Sequence, residues 1–302
     1  MIVPHGGYAW WYVDALSDDG AHGITLIAFI GSVFSPYYAW ARRGGGGDPL
    51  RHCALNVALY GRGGARWALT ERGAASVSRG ADWLAIGPSR ILWDGSGLTV
   101  RIDEVSAPVP RRIRGTVRLY PAAVEQRVMT LDTAGRHRWR PIAPCSRVEV
   151  VLDRPALSWS GSAYLDTNQG DRPLEADFHR WDWSRAPVPG GSAILYDVVR
   201  RGSEDRLTLA LRYGASGGVV DFEAPESRPL PRSGWRVERR IGSEGAPQVI
   251  ETLEDTPFYA RSVVGARWLG GPVAAMHESL SLDRFRMPIV KAMLPFRMPR
   301  VG

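Results

Sequence analysis

Short segments of alternating apolar and polar residues are the feature that most constrains the fold. Leu98 to Val105 alternates strictly, and Asp94-Gly95-Ser96-Gly97 directly before it is a hairpin turn sequence. Successive side chains of a β-strand point to opposite faces, so this pattern predicts a half-buried strand. Similar runs recur along the chain, separated by turns that use many of its 34 glycines and 22 prolines. Such spacing predicts an all-β sandwich or barrel with little room for long helices.

The length of 302 residues allows one large domain or two medium ones. A weak internal echo favours two, because Tyr12-Val13-Asp14 is repeated in form by Tyr164-Leu165-Asp166, about half a chain later. Tandem β-domains would produce such a repeat, and chance similarity of two short patterns is the alternative. The boundary is predicted near Pro144, after a Gly- and Arg-rich passage around Gly135. This gives an N-terminal β-domain, 1–144, and a C-terminal one, 145–302.

Charge and cysteine content narrow the function classes. The net charge is +7, carried almost wholly by arginine, with a single lysine at Lys291. The arginines are scattered and form no nucleic-acid motif, so nucleic acid is not an expected partner. Coding bias explains such a composition, and an anionic lipid surface is the alternative. Cys53 and Cys145 predict free thiols in a reducing compartment. The start of the chain lacks a signal-peptide pattern, and the most apolar run, Ile24 to Phe34, is too short to cross a bilayer.

Motifs for phosphate, metal or nucleophilic chemistry are weak. The glycine run Gly44 to Gly47 is not followed by Gly-Lys-Ser/Thr, so it predicts a flexible loop. His179 and Asp182 lack the spacing of zinc enzymes, so no metal is expected. Gly161-Ser162 lacks the second glycine of a hydrolase nucleophile turn. No dinucleotide fingerprint opens a helix, and therefore no nicotinamide or flavin cofactor is expected.

Two short patterns carry chemically capable side chains. His137-Arg138-Trp139 and Tyr164-Leu165-Asp166 each place two such residues two positions apart. On a strand, residues i and i+2 share a face, so each pair would present one surface. Two such surfaces meeting across a cavity would combine an acid, an imidazole and two aromatic rings, a set suited to protonating an apolar group. The alternative for Asp166 is a turn-capping carboxylate, because Thr-Asn-Gln-Gly follows it.

Further aromatic residues are candidates for lining a substrate site, namely Trp11, Tyr12, Trp181 and Trp183. Core packing is the commoner use of such side chains and is the alternative for each of them. Asp14 belongs to a Tyr-x-Asp pattern of its own and is therefore a rival acid to Asp166. No His-x-Trp pattern lies beside it.

Longer stretches resemble the carotenoid 1,2-hydratase family, also called hydroxyneurosporene synthases. The stretches are GGYAWWYVDALSDDG, HGITLIAFIGSVFSPYYAWARR, HCALNVALYG, YLDTNQGDRPLE and FHRWDWSRA. The resemblance covers nearly the whole chain. It implies tandem lipocalin-like β-domains, addition of water to the terminal C1=C2 double bond of acyclic carotenoids such as neurosporene and lycopene, and no organic cofactor. It also implies that His137, Trp139, Tyr164 and Asp166 are the catalytic residues.

Hydration of such an alkene begins with protonation of C2, after which water attacks a tertiary cation at C1. Asp166 is the expected proton donor, with a pKa raised by burial, and a hydrogen bond from Tyr164 or His137 would stabilise the carboxylate as it forms. Trp139 would face the cation with its π surface. His137 would orient the water and accept its proton. On sequence grounds these roles are interchangeable. The alternative function is a lipocalin-like carrier that binds a carotenoid or another lipid without catalysis.

The segment from Phe285 to Arg300 mixes cations with large apolar residues, and its three prolines rule out one long helix. Acyclic carotenoids reside in the bilayer. Together with the basic surface, this segment therefore predicts peripheral attachment to the cytoplasmic side of an anionic membrane. The alternative is a tail packed against the last strand.

Overall fold

The computed structural model describes residues 2–61, 65–202 and 205–302, and most of them lie in β-strands. The strands of the described residues are β1 (Tyr8–Ser17), β2 (His22–Ile30), β3 (Cys53–Gly61), β4 (Arg66–Leu69), β5 (Glu71–Arg72), β6 (Val77–Arg79), β7 (Trp83–Ile86), β8 (Ser89–Trp93), β9 (Leu98–Val105), β10 (Arg112–Pro121), β11 (Met129–Thr130), β12 (His137–Arg154), β13 (Ala156–Gly170), β14 (Phe178–Val188), β15 (Gly191–Arg200), β16 (Arg206–Gly214), β17 (Val219–Asp221), β18 (Ser227–Leu230), β19 (Arg239–Gly242), β20 (Gln248–Asp255), β21 (Tyr259–Trp268), β22 (Gly271–Ser281) and β23 (Arg300–Val301).

Helices in the same ranges are short. They are α1 (Pro36–Arg43), α2 (Leu174–Asp177), α3 (Leu282–Arg286) and α4 (Pro288–Met293), with single 3-10 turns at Pro49–Arg51, Ala74–Ser76 and Leu294–Phe296. The all-β prediction is confirmed. In the described ranges, no helix has both the length and the apolar character needed to cross a membrane.

The chain divides into two compact units. The first contains Met1–Pro173 and Ala292–Gly302, and the second contains Leu174–Lys291. This division differs from the predicted boundary near Pro144, which falls within β12. That strand is hydrogen-bonded to β13 along its length. The passage around Gly135, with a positive φ of 65°, is a turn that leads from β11 into β12 and not a linker.

One curled sheet forms the first unit. Its strand order is β23-β5-β3-β2-β1-β13-β12-β10-β9-β8-β7-β6, with β4 added to β3 and β11 added to β12. Every second residue of β9 is buried, as the alternation predicts. The apolar core draws on both halves of the sheet, with Leu26, Leu55 and Leu165 from one half and Val100 and Val117 from the other. The sheet therefore curls around one apolar interior.

Ile24 to Phe34, predicted as a strand pair or one bent strand, is a single strand that ends early. β2 stops at Ile30, and Gly31 follows with a φ of 68°. A β-carbon at Gly31 would lie 2.5 Å from the carbonyl oxygen of Gly7. Glycine therefore supplies both the left-handed backbone and the space for this close approach.

A second sheet forms the other unit, in the order β17-β16-β15-β14-β22-β21-β20, and β18 pairs with β19. Its apolar cluster includes Leu195, Val264 and Trp268. The indole N–H of Trp268 donates to the carbonyl oxygen of Gly242, 2.8 Å away. This bond satisfies the polar end of an aromatic side chain that is otherwise packed among apolar groups.

The C-terminal segment forms short helices and a strand. Up to Lys291 it belongs to the second unit, where the buried ammonium of Lys291 lies 3.1 Å from Glu175 Oε1. Residues 292–302 belong to the first unit, where β23 pairs in parallel with β5. There Arg300 contacts the buried carboxylate of Glu71. The end of the segment therefore joins an early strand, and not the last long strand, β22, as one alternative predicted.

Gly161 marks a close approach between β13 and β1. It lies opposite Ser17, and a β-carbon at Gly161 would be 1.9 Å from the carbonyl oxygen of Leu16. Because that oxygen belongs to backbone, Gly161→Ala is expected to destabilise the protein by about 1–3 kcal/mol. Thermal unfolding followed by circular dichroism measures this. Gly46→Ala is the control, since its β-carbon would only meet the oxygen of Ala41 at 3.5 Å. Equal melting temperatures for the two variants would contradict the close approach.

Candidate active site

Three neighbouring strands bring the predicted catalytic residues to one face of the first unit. β13 lies between β1 and β12 and runs antiparallel to both. Asp166 is opposite Tyr12 of β1, and Asn168 is opposite Trp139 of β12. Opposed residues of an antiparallel pair share a face, as do residues two apart. The shared face therefore carries His137, Trp139, Tyr164, Asp166 and Asn168, together with Tyr8, Trp10, Tyr12 and Asp14.

Asp166 is the centre of this group. The indole Nε1–H of Trp139 donates to Asp166 Oδ2 at 2.7 Å, and the hydroxyl of Tyr164 donates to the same oxygen at 2.8 Å. Trp139 and Tyr164 are fully buried and Asp166 is 4% exposed. Two neutral donors on one oxygen stabilise the carboxylate form of Asp166 in a place that water barely reaches. Since Oδ2 accepts both bonds, a proton on Asp166 belongs on Oδ1.

These contacts revise two sequence expectations. The hydrogen bond expected from Tyr164 or His137 to Asp166 is made by Tyr164. Trp139 supplies a second, unexpected donor. The turn-capping alternative for Asp166 is wrong, because Asp166 lies within β13 and the strand continues to Gly170. Nothing in the sequence reveals strand register, and register is what brings the indole N–H of Trp139 to the carboxylate.

His137 is held by groups that sequence reasoning missed. Its Nδ1 lies 2.9 Å from the hydroxyl of Tyr8, and its backbone N–H donates to Asp132 Oδ1 at 2.8 Å. Tyr8 also stacks on Trp10, with ring centroids 4.9 Å apart. A β-carbon at Gly170 would lie 2.7 Å from His137 Nδ1, so glycine there permits the contact. The imidazole orientation is therefore fixed from several sides.

The two Tyr-x-Asp patterns lie side by side in the first unit. Tyr12 is opposite Asp166 and Asp14 is opposite Tyr164 on adjacent antiparallel strands. The rings of Tyr12 and Tyr164 meet edge to face, with centroids 6.2 Å apart. The echo is thus not the mark of tandem domains, because both copies belong to one sheet. Asp14, the rival acid, is fully buried on the same face as Asp166.

The remaining predicted lining residues lie elsewhere. Trp11 points to the opposite face of β1 and packs against the apolar core of the first unit. Trp181 and Trp183 belong to β14 of the second unit, and both are buried. Trp181 lies against Tyr196, with ring centroids 5.8 Å apart. Of the four, only Tyr12 shares the face that carries Asp166.

A separate buried polar network lies in the second unit. Ser184 Oγ is 2.8 Å from His277 Nδ1, and His277 Nε2 is 3.0 Å from Ser279 Oγ, which donates to Asp182 at 2.5 Å. Burial raises the pKa of Asp182 to about 7 and lowers the pKa of His277 to about 3. Both shifts favour the neutral form. Across the described ranges, no group of three or more His, Cys, Asp or Glu side chains is arranged to hold a metal ion.

The raised pKa of Asp182 predicts a pH-dependent gain from Asp182→Asn. The folded protein binds this proton up to pH of about 7, whereas the unfolded chain loses it near 3.8. The contribution of Asp182 to stability is therefore full below pH of about 4 and is lost as pH rises to about 7. Asparagine has no such loss, so the variant is expected to gain up to about 4 kcal/mol relative to the parent between these limits. Melting temperatures at acidic and neutral pH test this.

His277 is present in both the parent and Asp182→Asn, so its contribution to the pH dependence of stability cancels to first order when the two are compared. Asp153→Asn is the control, since the side chain of Asp153 is 70% exposed. A difference between Asp182→Asn and the parent that stays constant with pH would contradict the prediction.

Solved structures show the fold of the chain. CghA matches with a TM-score of 0.59 at 13% identity, covering 91% of this chain and 88% of that one. A kievitone hydratase from Nectria haematococca matches with a TM-score of 0.54 at 9% identity, covering 94% and 92%. The shared architecture is all-β and lipocalin-like.

Sequence relatives show the family. The chain is 58% identical to an acyclic carotenoid 1,2-hydratase from Thiocapsa roseopersicina, over 100% of this chain and 75% of the relative. It is 41% identical to one from Cereibacter sphaeroides, over 91% and 98%. The family model described as "Carotenoid hydratase CrtC" matches residues 26–302. On these matches, the chain belongs to the carotenoid hydratase family.

Proposed function

We propose that the protein adds water to the terminal C1=C2 double bond of an acyclic carotenoid, such as neurosporene or lycopene, and gives a 1-hydroxy carotenoid. The observation that carries the proposal is the buried Asp166, with Trp139 and Tyr164 both donating to Oδ2. Protonating an unactivated alkene demands a strong acid in a dry site. Two hydrogen-bond donors that are already in place stabilise the negative charge that develops on Asp166 as its proton leaves.

The reaction starts with proton transfer from Asp166 Oδ1 to C2 of the alkene. The π electrons form the new C2–H bond and leave a tertiary cation at C1. The carboxylate of Asp166 stays next to the cation, and in a buried site their attraction is far stronger than in water. Trp139 and Tyr164 continue to donate to Oδ2 and stabilise the negative charge of the carboxylate. Aromatic faces on the same sheet surface, Trp10 and Tyr12 among them, suit a cationic carbon.

Water then attacks C1 and forms the C–O bond, and His137 takes the proton that this water loses. For His137 to act as a base, its Nδ1 carries hydrogen and donates to the oxygen of Tyr8, which makes Nε2 the basic nitrogen. Return of that proton to Asp166 restores the starting state. Every proton that moves comes from a side chain or from water, so the proposed steps require no redox group.

We also propose that the protein works at the cytoplasmic surface of the membrane, as a peripheral protein. An acyclic carotenoid is insoluble in water and partitions into the bilayer, so the enzyme must take its substrate from lipid. The net charge of +7 supports attraction to anionic lipid.

Expression in a bacterium that accumulates lycopene tests the proposed reaction. Pigments are separated by chromatography and identified by mass spectrometry. A more polar pigment, heavier by one water, is the expected product, and cells with the empty vector provide the control. If lycopene remains unchanged but co-purifies with the folded protein, the protein is a carotenoid carrier and the proposed hydratase activity is wrong.

A further inference from the structure

A cavity of about 430 Å³ lies wholly within the second unit, where β14, β15 and β22 meet α3 and the segment 231–238. Its apolar lining comes from Trp181, Val199 and Leu280. Trp181 and Leu280 oppose each other across β14 and β22. A volume of this size falls in the range of small-ligand sites, and apolar walls suit the non-polar part of a ligand.

Four arginines also line this cavity, which we call the arginine pocket: Arg180, Arg232, Arg236 and Arg284. Three acidic residues line the pocket, Asp182, Glu238 and Asp283, and each is already engaged; Asp182 accepts from Ser279 Oγ. Glu238 accepts from Arg232 at 2.6 Å, and Asp283 is bound by Arg201 and lies 3.0 Å from His179 Nδ1. These ion pairs neutralise Glu238 and Asp283 and leave Arg180, Arg236 and Arg284 to face a ligand.

Three of the guanidinium groups keep unused donors. Arg180 Nε is buried and has no hydrogen-bond acceptor in the described residues, and it lies 3.8 Å from Asp182 Oδ2. Arg284 donates from Nη1 to the carbonyl oxygen of Trp235 at 2.7 Å and has further N–H groups. The side chain of Arg236 makes no hydrogen bond or ion pair within the ranges that the structure describes. Several guanidinium forks converging on one space match the geometry of phosphate oxygens.

The backbone of Arg236 is unusual. Its φ is 62°, in the left-handed region that favours glycine, and a turn holds it there through its N–H and the carbonyl oxygen of Ser233, 2.8 Å apart. An arginine in this conformation is strained, and strain of this kind is concentrated at functional sites. Because this backbone conformation disfavours arginine, we attribute the presence of arginine at position 236 to a role of its side chain.

Exposed apolar side chains lie close in sequence to two arginines of the arginine pocket, Arg236 and Arg284. Trp235, whose carbonyl binds Arg284, is 47% exposed, and Met287 and Ile289 just beyond α3 are 47% and 62% exposed. Tryptophan beside cations and aliphatic groups is the composition of surfaces that rest in the interface of a bilayer.

We propose that the arginine pocket binds the phosphate of an anionic phospholipid. Arg180, Arg236 and Arg284 contact the phosphate oxygens. The glycerol and upper acyl carbons lie against Trp181 and Leu280, while Trp235 and Ile289 enter the bilayer interface. The second unit thereby provides a lipid site that is separate from the face carrying Asp166 and does not depend on the hydration reaction.

Co-sedimentation with vesicles tests this on the whole chain in the absence of carotenoid. Vesicles contain phosphatidylcholine alone or mixed with phosphatidylglycerol. The variant Arg236→Gln/Arg284→Gln is expected to bind the phosphatidylglycerol vesicles about tenfold more weakly than the parent. Arg101→Gln/Arg286→Gln is the matched control, because it removes the same charge from two exposed arginines outside the pocket. Circular dichroism confirms folding of both variants.

Three results would overturn the proposal. An equal loss in both double variants would show diffuse attraction to the membrane and no pocket. Equal binding to both vesicle types would remove the role of the anionic headgroup. Calorimetric binding of inorganic phosphate that the pocket variant loses, with vesicle binding unchanged, would make this a site for soluble phosphate. None of these outcomes bears on hydration, which is measured separately on pigments.

Discussion

Asp166→Asn is expected to lower the rate of hydration by about 10³-fold or more while the fold is retained. Asparagine can still accept hydrogen bonds from Trp139 and Tyr164 through its carbonyl oxygen, so the buried network keeps its acceptor. It has no acidic proton to transfer to C2 of the alkene, and the first step of the reaction therefore fails. Product formation from lycopene in detergent solution, normalised to folded protein, measures the loss.

Asp14→Asn separates the two buried acids of the same face. Asp14 lies opposite Tyr164 and is fully buried, and the proposed mechanism gives it no proton to transfer to the substrate. We expect Asp14→Asn to retain far more activity than Asp166→Asn. If Asp166→Asn stays near the parental rate and Asp14→Asn loses it, the acid is Asp14 and the proposed mechanism is wrong.

Removing one donor to Asp166 Oδ2 is expected to lower the rate by about 10²-fold. Trp139→Phe and Tyr164→Phe each delete one hydrogen bond, of 2.7 Å and 2.8 Å respectively, and keep an aromatic ring in place. The carboxylate that forms as the proton leaves is then less stabilised, so the effect falls on the chemical step. The rate at saturating carotenoid should drop more than the apparent affinity changes.

Trp159→Phe provides the control for these two variants. Trp159 also lies on β13, but it packs against the apolar core of the first unit. Its replacement makes the same type of change and leaves the donors to Asp166 intact. An equal loss of rate in Trp159→Phe would show that the effect comes from packing and not from the two hydrogen bonds. The double variant Trp139→Phe/Tyr164→Phe should fall short of additivity, because both donors share one oxygen.

Local pattern was enough to predict the strands and the pairing of functional groups within a strand. Leu98 to Val105 shows its hydrophobic alternation in the structure, and Tyr164 and Asp166 do share a face and a hydrogen bond. These features depend only on the period of a β-strand. The same period could not place Trp11, since it says that Trp11 and Tyr12 face opposite ways but not which face carries the site.

Contacts between residues far apart in the chain could not be predicted from the sequence. The contact of Tyr8 with His137 joins residues 129 positions apart and depends on the register of β13 with both of its neighbours. The same register sets Tyr12 opposite Asp166. In the sequence, the repeated Tyr-x-Asp pattern indicates two tandem domains, whereas the two copies lie on neighbouring strands of one sheet. The predicted boundary near Pro144 failed for a related reason, because composition marks turns and a turn inside a hairpin resembles a linker.

The position of β23 has a consequence for how the chain folds during its synthesis on the ribosome. The first unit begins with β1, yet its sheet ends with β23, and Arg300 meets Glu71 across 229 residues. All of 174–291 is translated before that partner strand exists. The second unit can thus fold while the first still lacks an edge strand, and translation of β23 completes the sheet of the first unit. Nascent chains halted before residue 300 should expose the edge of β5, where another strand or a chaperone can bind.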